Sequence, residues 1–206
     1  MAGPDRQFWQ DHFDRNELPW DRGVVGPHLQ AWLADGTLGA EAAIATMAVP
    51  GCGSGHEVLA LALHGVAVTA IDYAPGACDA TRARLDGAGA AATVVCADVL
   101  AWRPPAPLDA VYEQTCLCAL HPDHWTRYAA SLHAWLRPGG RLLVAAMQVD
   151  RTGAADGLIE GPPYNVPVNA LRALLPEPRW AWPRPPYARQ PHRVGAYELG
   201  LVLTRR

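Results

Sequence analysis

The feature that most constrains the fold of this chain is a glycine-rich turn at residues 49–57, with the sequence VPGCGSGHE. Gly51, Gly53 and Gly55 allow the backbone to turn sharply and to approach a ligand closely, and the helix-like run that follows offers free N–H groups and a positive dipole end. The spacing is G-x-G-x-G, because His56 occupies the last glycine position of the dinucleotide fingerprint G-x-G-x-x-G. The turn therefore predicts a cradle for a small molecule.

Two aspartates follow the next two predicted strands. Asp72 ends the apolar strand at residues 67–73, about twenty residues after Gly51, where a nucleoside ribose would present its hydroxyls. Asp98 follows the strand at residues 92–96 and would suit an adenine amino group. Either aspartate alone is typical of a helix N-cap or a loop. Together with the glycine turn, the two aspartates favour a nucleoside-binding site.

From residue 43 onwards, predicted strands and helices alternate. Strands are predicted at residues 43–49, 67–73, 92–96, 108–112, 141–147 and 195–204, helices at 57–64, 75–86, 123–136 and 166–175, and a turn at 137–140. This alternation predicts a parallel sheet covered by helices on both faces. Amphipathic helices at 5–16 and 27–35 precede the first strand, and the prolines of 180–187 restrict any strand there to a sheet edge. The segment 148–165 is either a lid or a long connection.

Length and charge limit the class of protein. The chain has 206 residues, of which 50% are hydrophobic, which is enough for one substantial core and too short for two comfortable domains. Its net charge of -3 and scattered arginines disfavour nucleic acid binding, which needs a basic patch. No apolar run approaches the ~20 residues of a membrane span, and the N-terminal residues lack a secretion signal. We therefore expect a single cytoplasmic domain, monomeric or a weak homo-oligomer, that binds neither nucleic acid nor a membrane.

The five cysteines do not indicate a disulfide framework, because their number is odd and most of them lie in predicted strands or helices. Cys116 and Cys118 lack a second Cys or His pair at zinc spacing, so no metal site is predicted. The better interpretation is that the cysteines are small buried hydrophobic residues.

Several longer segments carry a resemblance to one protein family. They are WQDHF at 9–13, LPWD at 18–21, the glycine turn, YEQTCLCAL at 112–120, LRPGG at 136–140 and GPPY at 161–164. Together they resemble the thiopurine S-methyltransferase family, which includes the plant and bacterial halide and thiol methyltransferases. The glycine turn and LRPGG are shared by many S-adenosylmethionine-dependent methyltransferases, whereas the paired N-terminal tryptophans and GPPY are more specific.

The resemblance implies an α/β fold of the Rossmann-like class I methyltransferases, with a seven-stranded, mostly parallel sheet, helices on both faces and an antiparallel last strand. Residues 1–40 are expected to form an N-terminal helical lid, here called the cap, on a core of residues 41–206 within one domain of residues 1–206. The implied cofactor is S-adenosylmethionine (SAM), with S-adenosylhomocysteine (SAH) as its product. The expected cofactor contacts are Trp9, Phe13, Trp20, Gly51, Gly53, Gly55, Asp72, Tyr73, Asp98, Val99 and Glu113.

Trp9, Phe13 and Trp20 suit a cofactor that carries a cationic sulfonium. Aromatic faces attract a cation by on the order of 0.5–2 kcal/mol each. They also exclude water from the reacting atoms. The alternative is that these rings only pack an N-terminal helix against the core. The family pattern favours a contact with the cofactor.

A departure from the family pattern bears on the methyl acceptor. Glu113-Gln114 stands where thiopurine enzymes carry an Asp-Arg pair and plant halide/thiol enzymes an Asp-Tyr pair, whereas Pro19-Trp20-Asp21 is more like the halide/thiol branch. We therefore expect in-line transfer to a small soft nucleophile: a thiol, hydrosulfide, halide or related chalcogen.

Such a nucleophile needs no general base once it is ionised, whereas an alcohol or amine needs one. The candidate catalytic residues are Glu113, Gln114 and His121. Glu113 and His121 are the candidate bases, with His12 as a further one. Two alternatives stay open. One is a small-molecule O- or N-methyltransferase that uses Glu113 or His121 as its base, and the other is a SAM-binding module without catalysis.

Overall fold

The structure is a computed structural model that describes residues 3–39, 43–149, 159–192 and 196–206. The helices in these residues are α1 (Arg6–Asp14), α2 (Pro27–Ala34), α3 (His56–Leu63), α4 (Pro75–Ala88), α5 (Cys116–Ala119), α6 (Trp125–Trp135) and α7 (Val168–Leu174). The strands are β1 (Thr46–Pro50), β2 (Ala67–Asp72), β3 (Thr93–Cys96), β4 (Leu108–Gln114), β5 (Leu136–Gln148), β6 (Trp180–Ala181), β7 (Ala188–His192) and β8 (Ala196–Arg205). Among these helices and strands, α5, β6 and β7 are additions to the predicted set. No described helix is long and apolar enough to span a bilayer.

The strands form one mixed sheet in the order β3-β2-β1-β4-β5-β8-β6, with β7 also paired to β8. Strands β1 to β5 are parallel to one another, and β8 is antiparallel to β5. The predicted Rossmann-like architecture and its antiparallel closing strand are confirmed. The described residues form eight strands instead of seven, because the proline-broken segment at 180–192 supplies two short strands, β6 and β7, along the same outer edge of β8.

Buried apolar side chains form one cluster on each face of the sheet, as the alternation of strand residues requires. On one face, Tyr128, Leu132 and Trp135 of α6 pack over the sheet together with Leu171 of α7. On the other face the sheet packs against α2, α3 and α4, through Leu29, Trp32, Val58, Leu61 and Leu85. Helices therefore cover both faces, which leaves the carboxyl ends of the strands as the accessible edge.

The segment 137–140 is a predicted turn, and Leu136 a predicted helix end, but both belong to β5 in the structure. Leu136 pairs with Leu108, and the register then shifts before Ala110 pairs with Arg141. Gly139 and Gly140 therefore lie in an irregular, bulged first part of β5, where Gly139 has a φ of 76°.

The cap reaches the carboxyl ends of the strands through α1. Asp5 accepts a hydrogen bond from the backbone N–H of Phe8 at 2.8 Å, which caps the helix. Gln10 Oε1 accepts from the backbone N–H of Gly76 at the start of α4, at 2.9 Å. A Cβ on Gly76 would lie 2.6 Å from the Cβ of Phe13, so this glycine allows close docking of α1.

The contact between α2 and β8 generates a first prediction. Gly200 lies under the buried ring of His28, and a Cβ there would come within 2.7 Å of His28 Cε1. Gly200→Ala should lower the free energy of unfolding by about 1–3 kcal/mol, because the added methyl group would displace a ring that is bonded to the Glu198 carbonyl oxygen and stacked on Trp32. Urea denaturation measures the change.

Gly87→Ala is the matched control, because a Cβ on this residue of α4 would meet no atom within 4 Å. It should raise the stability by about 0.5–1 kcal/mol through helix propensity. Equal stability of Gly200→Ala and the parent protein would contradict the packing argument.

Candidate active site

The glycine turn follows β1 and requires glycine at three residues. Gly51, Gly53 and Gly55 have φ values of 63°, 53° and 75°, in the left-handed region. A Cβ on Gly51 would lie 3.0 Å from Cys116 Cβ, and one on Gly55 would lie 2.7 Å from Thr81 Oγ1. A Cβ on Gly53 would meet nothing within 4 Å. The turn therefore packs against Cys116 and Thr81 at Gly51 and Gly55, and it faces open space at Gly53.

The predicted carboxylate at the end of β2 is bonded to this turn. Asp72 accepts hydrogen bonds from the backbone N–H groups of Gly53 and Ala74, each at 3.0 Å. Burial raises the pKa of Asp72, while these hydrogen bonds act in the opposite direction. Asp98, after β3, accepts from the backbone N–H of Leu100 at 2.8 Å. Both carboxylates therefore have a fixed orientation at neighbouring strand ends.

Aromatic rings of the cap form the opposite wall. The ring centroids of Trp9 and Trp20 are 5.4 Å apart in an edge-to-face arrangement, and those of Phe13 and Trp20 are 6.5 Å apart. The imidazole of His12 also packs edge-to-face on Trp20, with centroids 5.0 Å apart. Through these ring contacts Trp20 packs the segment after α1 against α1 itself.

These walls enclose a cavity of about 620 Å³, within the range of about 300–1,000 Å³ typical of small-molecule sites. The predicted site residues that line it are Trp9, Phe13, Trp20, Gly51, Gly53, Asp72, Tyr73, Asp98, Val99, Gln114 and His121. Gly55 and Glu113 are not among the lining residues. The structure therefore brings eleven of the thirteen predicted residues to one cavity.

Glu113 lies behind the cavity wall instead of in it. Its carboxyl group is 2% exposed, and Oε1 accepts a hydrogen bond from the backbone N–H of Leu117 at 2.6 Å. This contact satisfies a backbone N–H in the first turn of α5, whose first residue Cys116 packs against Gly51. Burial raises the pKa of Glu113 to about 7. Glu113 is predicted to contact the cofactor. In the structure it is a buried residue that supports the cavity wall and does not line it.

Gln114, the next residue of β4, faces the cavity and has both ends of its amide bonded. Its Oε1 accepts from Tyr112 Oη at 2.6 Å, and its Nε2 donates to Glu198 Oε1 at 3.0 Å. Glu198 is fully buried on β8. Its other oxygen accepts from Arg22 at 3.1 Å. A hydrogen-bonded wall therefore runs from β4 through β8 to the cap.

Sequence reasoning misses Tyr112, Arg22 and Glu198 as parts of this wall. Tyr112 and Arg22 adjoin motifs already noted, Glu113-Gln114 and Pro19-Trp20-Asp21. Glu198 gives no local signal, because it alternates with the apolar residues of β8 as a solvent-facing residue would.

His121 lines the cavity from the side of α5. Its Nδ1 accepts from the backbone N–H of Asp123 at 3.3 Å, and its ring packs edge-to-face on Tyr164 with centroids 5.6 Å apart. It therefore begins the short 3-10 helix (Pro122–His124) that precedes α6, and its ring also forms part of the wall.

The cysteines are mostly, but not all, buried. Cys52, Cys78, Cys116 and Cys118 are buried as predicted, whereas Cys96 is exposed at the end of β3 because that strand forms the sheet edge. In the parts of the chain that the structure describes, no group of three or more His, Cys, Asp or Glu residues is arranged to hold a metal ion.

Comparison with known proteins supports one family. A family model described as Thiopurine S-methyltransferase (TPMT) matches residues 4–182. Thiocyanate methyltransferase 1 of Arabidopsis thaliana is 28% identical over 170 residues, covering 81% of this chain and 70% of the plant protein. Thiopurine S-methyltransferase of Pseudomonas entomophila is 30% identical over 182 residues, covering 81% of this chain and 80% of the bacterial protein.

Among solved structures, the 1,6-didemethyltoxoflavin-N1-methyltransferase of Burkholderia thailandensis, with bound 1,6-didemethyltoxoflavin and SAH, has a TM-score of 0.73 to this chain. It is 22% identical and the alignment covers 97% of this chain and 86% of the other. At this identity the likeness concerns the fold.

The sheet order, the antiparallel closing strand and the glycine cradle at the strand ends define a class I SAM-dependent methyltransferase. The cofactor of this class is SAM. Within the class, the chain belongs to the thiopurine S-methyltransferase family, whose model matches most of its length.

The residues around the cavity fit SAM. Gly53 leaves open space beside the turn, and the wall carries the carboxylates of Asp72 and Asp98. Carboxylates accept strong hydrogen bonds from hydroxyl and amino groups, and aromatic rings attract a sulfonium cation. The combination of Trp9 and Trp20 with these carboxylates matches the chemistry of the cofactor's two ends.

The buried carboxyl group of Glu113 generates a second prediction. Its pKa in the folded protein is about 7, above the ordinary 4.5, so between these pH values the folded protein holds a proton that the unfolded chain has lost. Stability therefore falls as the pH rises through this window. Glu113→Gln should be more stable than the parent at pH 8 by up to about 3 kcal/mol, and nearly equal to it at pH 5.

Urea denaturation between pH 5 and pH 8 measures this difference. Glu160→Gln is the control, because Glu160 is exposed and its substitution should leave the pH dependence unchanged. If Glu113→Gln followed the parent curve at every pH, the buried carboxyl group would not be the source of the slope.

Proposed function

We propose that this protein transfers the methyl group of SAM to a small soft nucleophile, such as a thiol, hydrosulfide, halide or related chalcogen, by in-line displacement. The observation that carries the proposal is the state of the acceptor wall: Gln114 has both amide ends bonded, and Glu113 is sealed behind it. Such a wall orients an acceptor but offers no accessible carboxylate base. The names of the relatives, thiocyanate and thiopurine S-methyltransferases, support the same class of acceptor.

On the cofactor side, we assign a contact to each cavity-lining residue from its chemistry. Asp72 accepts hydrogen bonds from the ribose hydroxyls, and Asp98 accepts from the adenine amino group, with Val99 and Tyr73 beside the base. The glycine turn, with the N-terminus of α3, holds the amino acid end of the cofactor through backbone N–H groups. Gly55 acts indirectly, by allowing the turn to pack on Thr81.

On the cap side, Trp9, Phe13 and Trp20 orient the reacting end of the cofactor. SAM supplies a methyl group on a cationic sulfur. Aromatic faces attract that charge and exclude water, so the two reactants meet in line without a competing hydration shell. Residues 1–40 therefore act as a cap on the core, within one domain of residues 1–206.

An O- or N-methyltransferase is the second candidate, and His121 is the observation that favours it. Of the two candidate bases Glu113 and His121, only His121 lines the cavity, so it is the better candidate for the base of such a reaction. Turnover of alcohols or amines distinguishes this candidate, and binding of SAM without turnover distinguishes a non-catalytic module.

The third prediction is the acceptor profile of the purified protein. SAH formation should be observed with hydrosulfide, an aromatic thiol and iodide, because these nucleophiles need no base. Catechol and a primary amine should give no product above background. Turnover confined to catechol or the amine would overturn the acceptor class and direct attention to His121.

The fourth prediction concerns Asp72. Asp72→Ala should weaken SAH binding at least tenfold, because a hydrogen bond to a charged group contributes about 1.5–3 kcal/mol. Calorimetric titration measures the affinity. Asp79→Ala, an exposed change on α4, is the control and should bind SAH like the parent. An unchanged affinity in a folded Asp72→Ala protein would refute the ribose assignment.

A further inference from the structure

Two consecutive charged residues of the cap, Asp21 and Arg22, reach opposite walls of the cavity. Asp21 Oδ1 lies 3.1 Å from His56 Nε2, at the end of the glycine turn. The Arg22 guanidinium donates to Glu198 Oε2 and to the carbonyl oxygen of Pro191, each at 3.1 Å. The cap segment after Trp20 therefore spans the site from its cofactor wall to β8.

The partner of Arg22 is held in one orientation. Glu198 is 0% exposed, and its second oxygen accepts from Gln114 Nε2 at 3.0 Å, while Gln114 accepts from Tyr112. Because every member of this series is bonded to the next, the guanidinium has little freedom to rotate. The series fixes Arg22 at the edge of the cavity, which it lines.

Both hydrogen bonds of the guanidinium use Nη2, so its other N–H groups take no part in them. Its Nε is buried and has no hydrogen-bond partner in the described residues. A buried donor without an acceptor costs about 1–3 kcal/mol. The Arg22 side chain as a whole keeps 15% of its surface exposed and lines the cavity, so it is accessible to an anion bound there. The sequence contains no lysine, and Arg22 is the one arginine among the described residues that line the cavity. It is therefore the permanent cation available to an acceptor there.

We propose that Arg22 positions the methyl acceptor, by offering its guanidinium to an anionic nucleophile while Glu198 holds it in place. This inference rests on the proposed function, because it assigns a residue to the same acceptor. Arg22 would also supply a positive charge to the acceptor wall, where the residue at the end of β4, Gln114, is uncharged.

The charge changes during transfer determine which kinetic constant should respond. The carbon–sulfur bond of the cofactor breaks as the bond to the nucleophile forms, and the electron pair comes from the nucleophile, so its negative charge fades towards the transition state. Arg22 therefore attracts the acceptor most strongly before transfer. Loss of Arg22 should raise KM for the acceptor and leave kcat nearly unchanged.

The test uses thiocyanate as a probe anion, titrated calorimetrically into the parent protein saturated with SAH. Arg22→Gln should weaken thiocyanate binding about tenfold or more, and Arg22→Lys should recover part of it, because the charge is kept but the planar fork is lost. Arg82→Gln, an exposed change on α4, is the control for net charge and should bind like the parent. SAH affinity and thermal unfolding of each variant establish that it is folded.

A second variant separates positioning from damage to the wall. Arg22→Gln alone leaves the buried Glu198 without its cation, which is costly. The double variant Arg22→Gln/Glu198→Gln removes both charges and should also fail to bind thiocyanate. Recovery of binding in the double variant would show that the single change only disturbed Glu198, and would overturn the proposal.

Two other results would also overturn it: equal thiocyanate affinity in Arg22→Gln and the parent, or no thiocyanate site in the parent complex. The two proposals fail separately. If thiocyanate binding depends on Arg22 but no acceptor is methylated, only the proposed acceptor chemistry is refuted. Turnover of hydrosulfide or iodide with the same acceptor KM in Arg22→Gln would remove the role of Arg22 alone.

Discussion

The hydrogen bond between the backbone N–H of Gly53 and the carboxylate of Asp72 joins the two halves of the cofactor cradle, and the rest of the site depends on it. It ties the turn after β1 to the end of β2, whose strands are paired in register from Thr46 to Pro50. Left-handed backbone at the glycines makes this approach possible without side-chain overlap. A cradle fixed in this way presents backbone N–H groups and a carboxylate to the same ligand.

The cap is the part of the molecule that joins the cofactor side to the acceptor side. It is anchored at α4 through Gln10 and Phe13, and it then crosses the cavity through Trp20, Asp21 and Arg22. These anchors are of different kinds: a hydrogen bond to a backbone N–H, ring packing, the contact of Asp21 with His56 and the ion pair of Arg22 with Glu198. A ligand that enters the cradle therefore meets a wall that is assembled from distant parts of the chain.

Two buried glutamates, Glu113 and Glu198, and the half-buried Glu57 support this wall, and each is bonded to a nearby donor. Glu57 accepts from the backbone N–H of Gly26 at 2.9 Å, Glu113 from that of Leu117, and Glu198 from side chains of β4 and the cap. Burial raises the pKa of all three carboxyl groups. A raised carboxyl pKa is a common sign of a catalytic base, but the hydrogen bonds of Glu113 and its place behind the wall indicate a structural role.

Features that depend on local chemistry can be read from the sequence alone: the glycine turn, the alternation of strands and helices, the aspartates at two strand ends and the closing strand. Tertiary structure decided which side of β4 faces the ligand, and so separated Gln114 in the wall from Glu113 behind it. It also divided the proline-broken edge into β6 and β7, and exposed Cys96 on the edge strand. Arg22 and Glu198 meet across most of the chain's length, and no local pattern encodes such a pair, because their contact exists only after β8 has inserted beside β5.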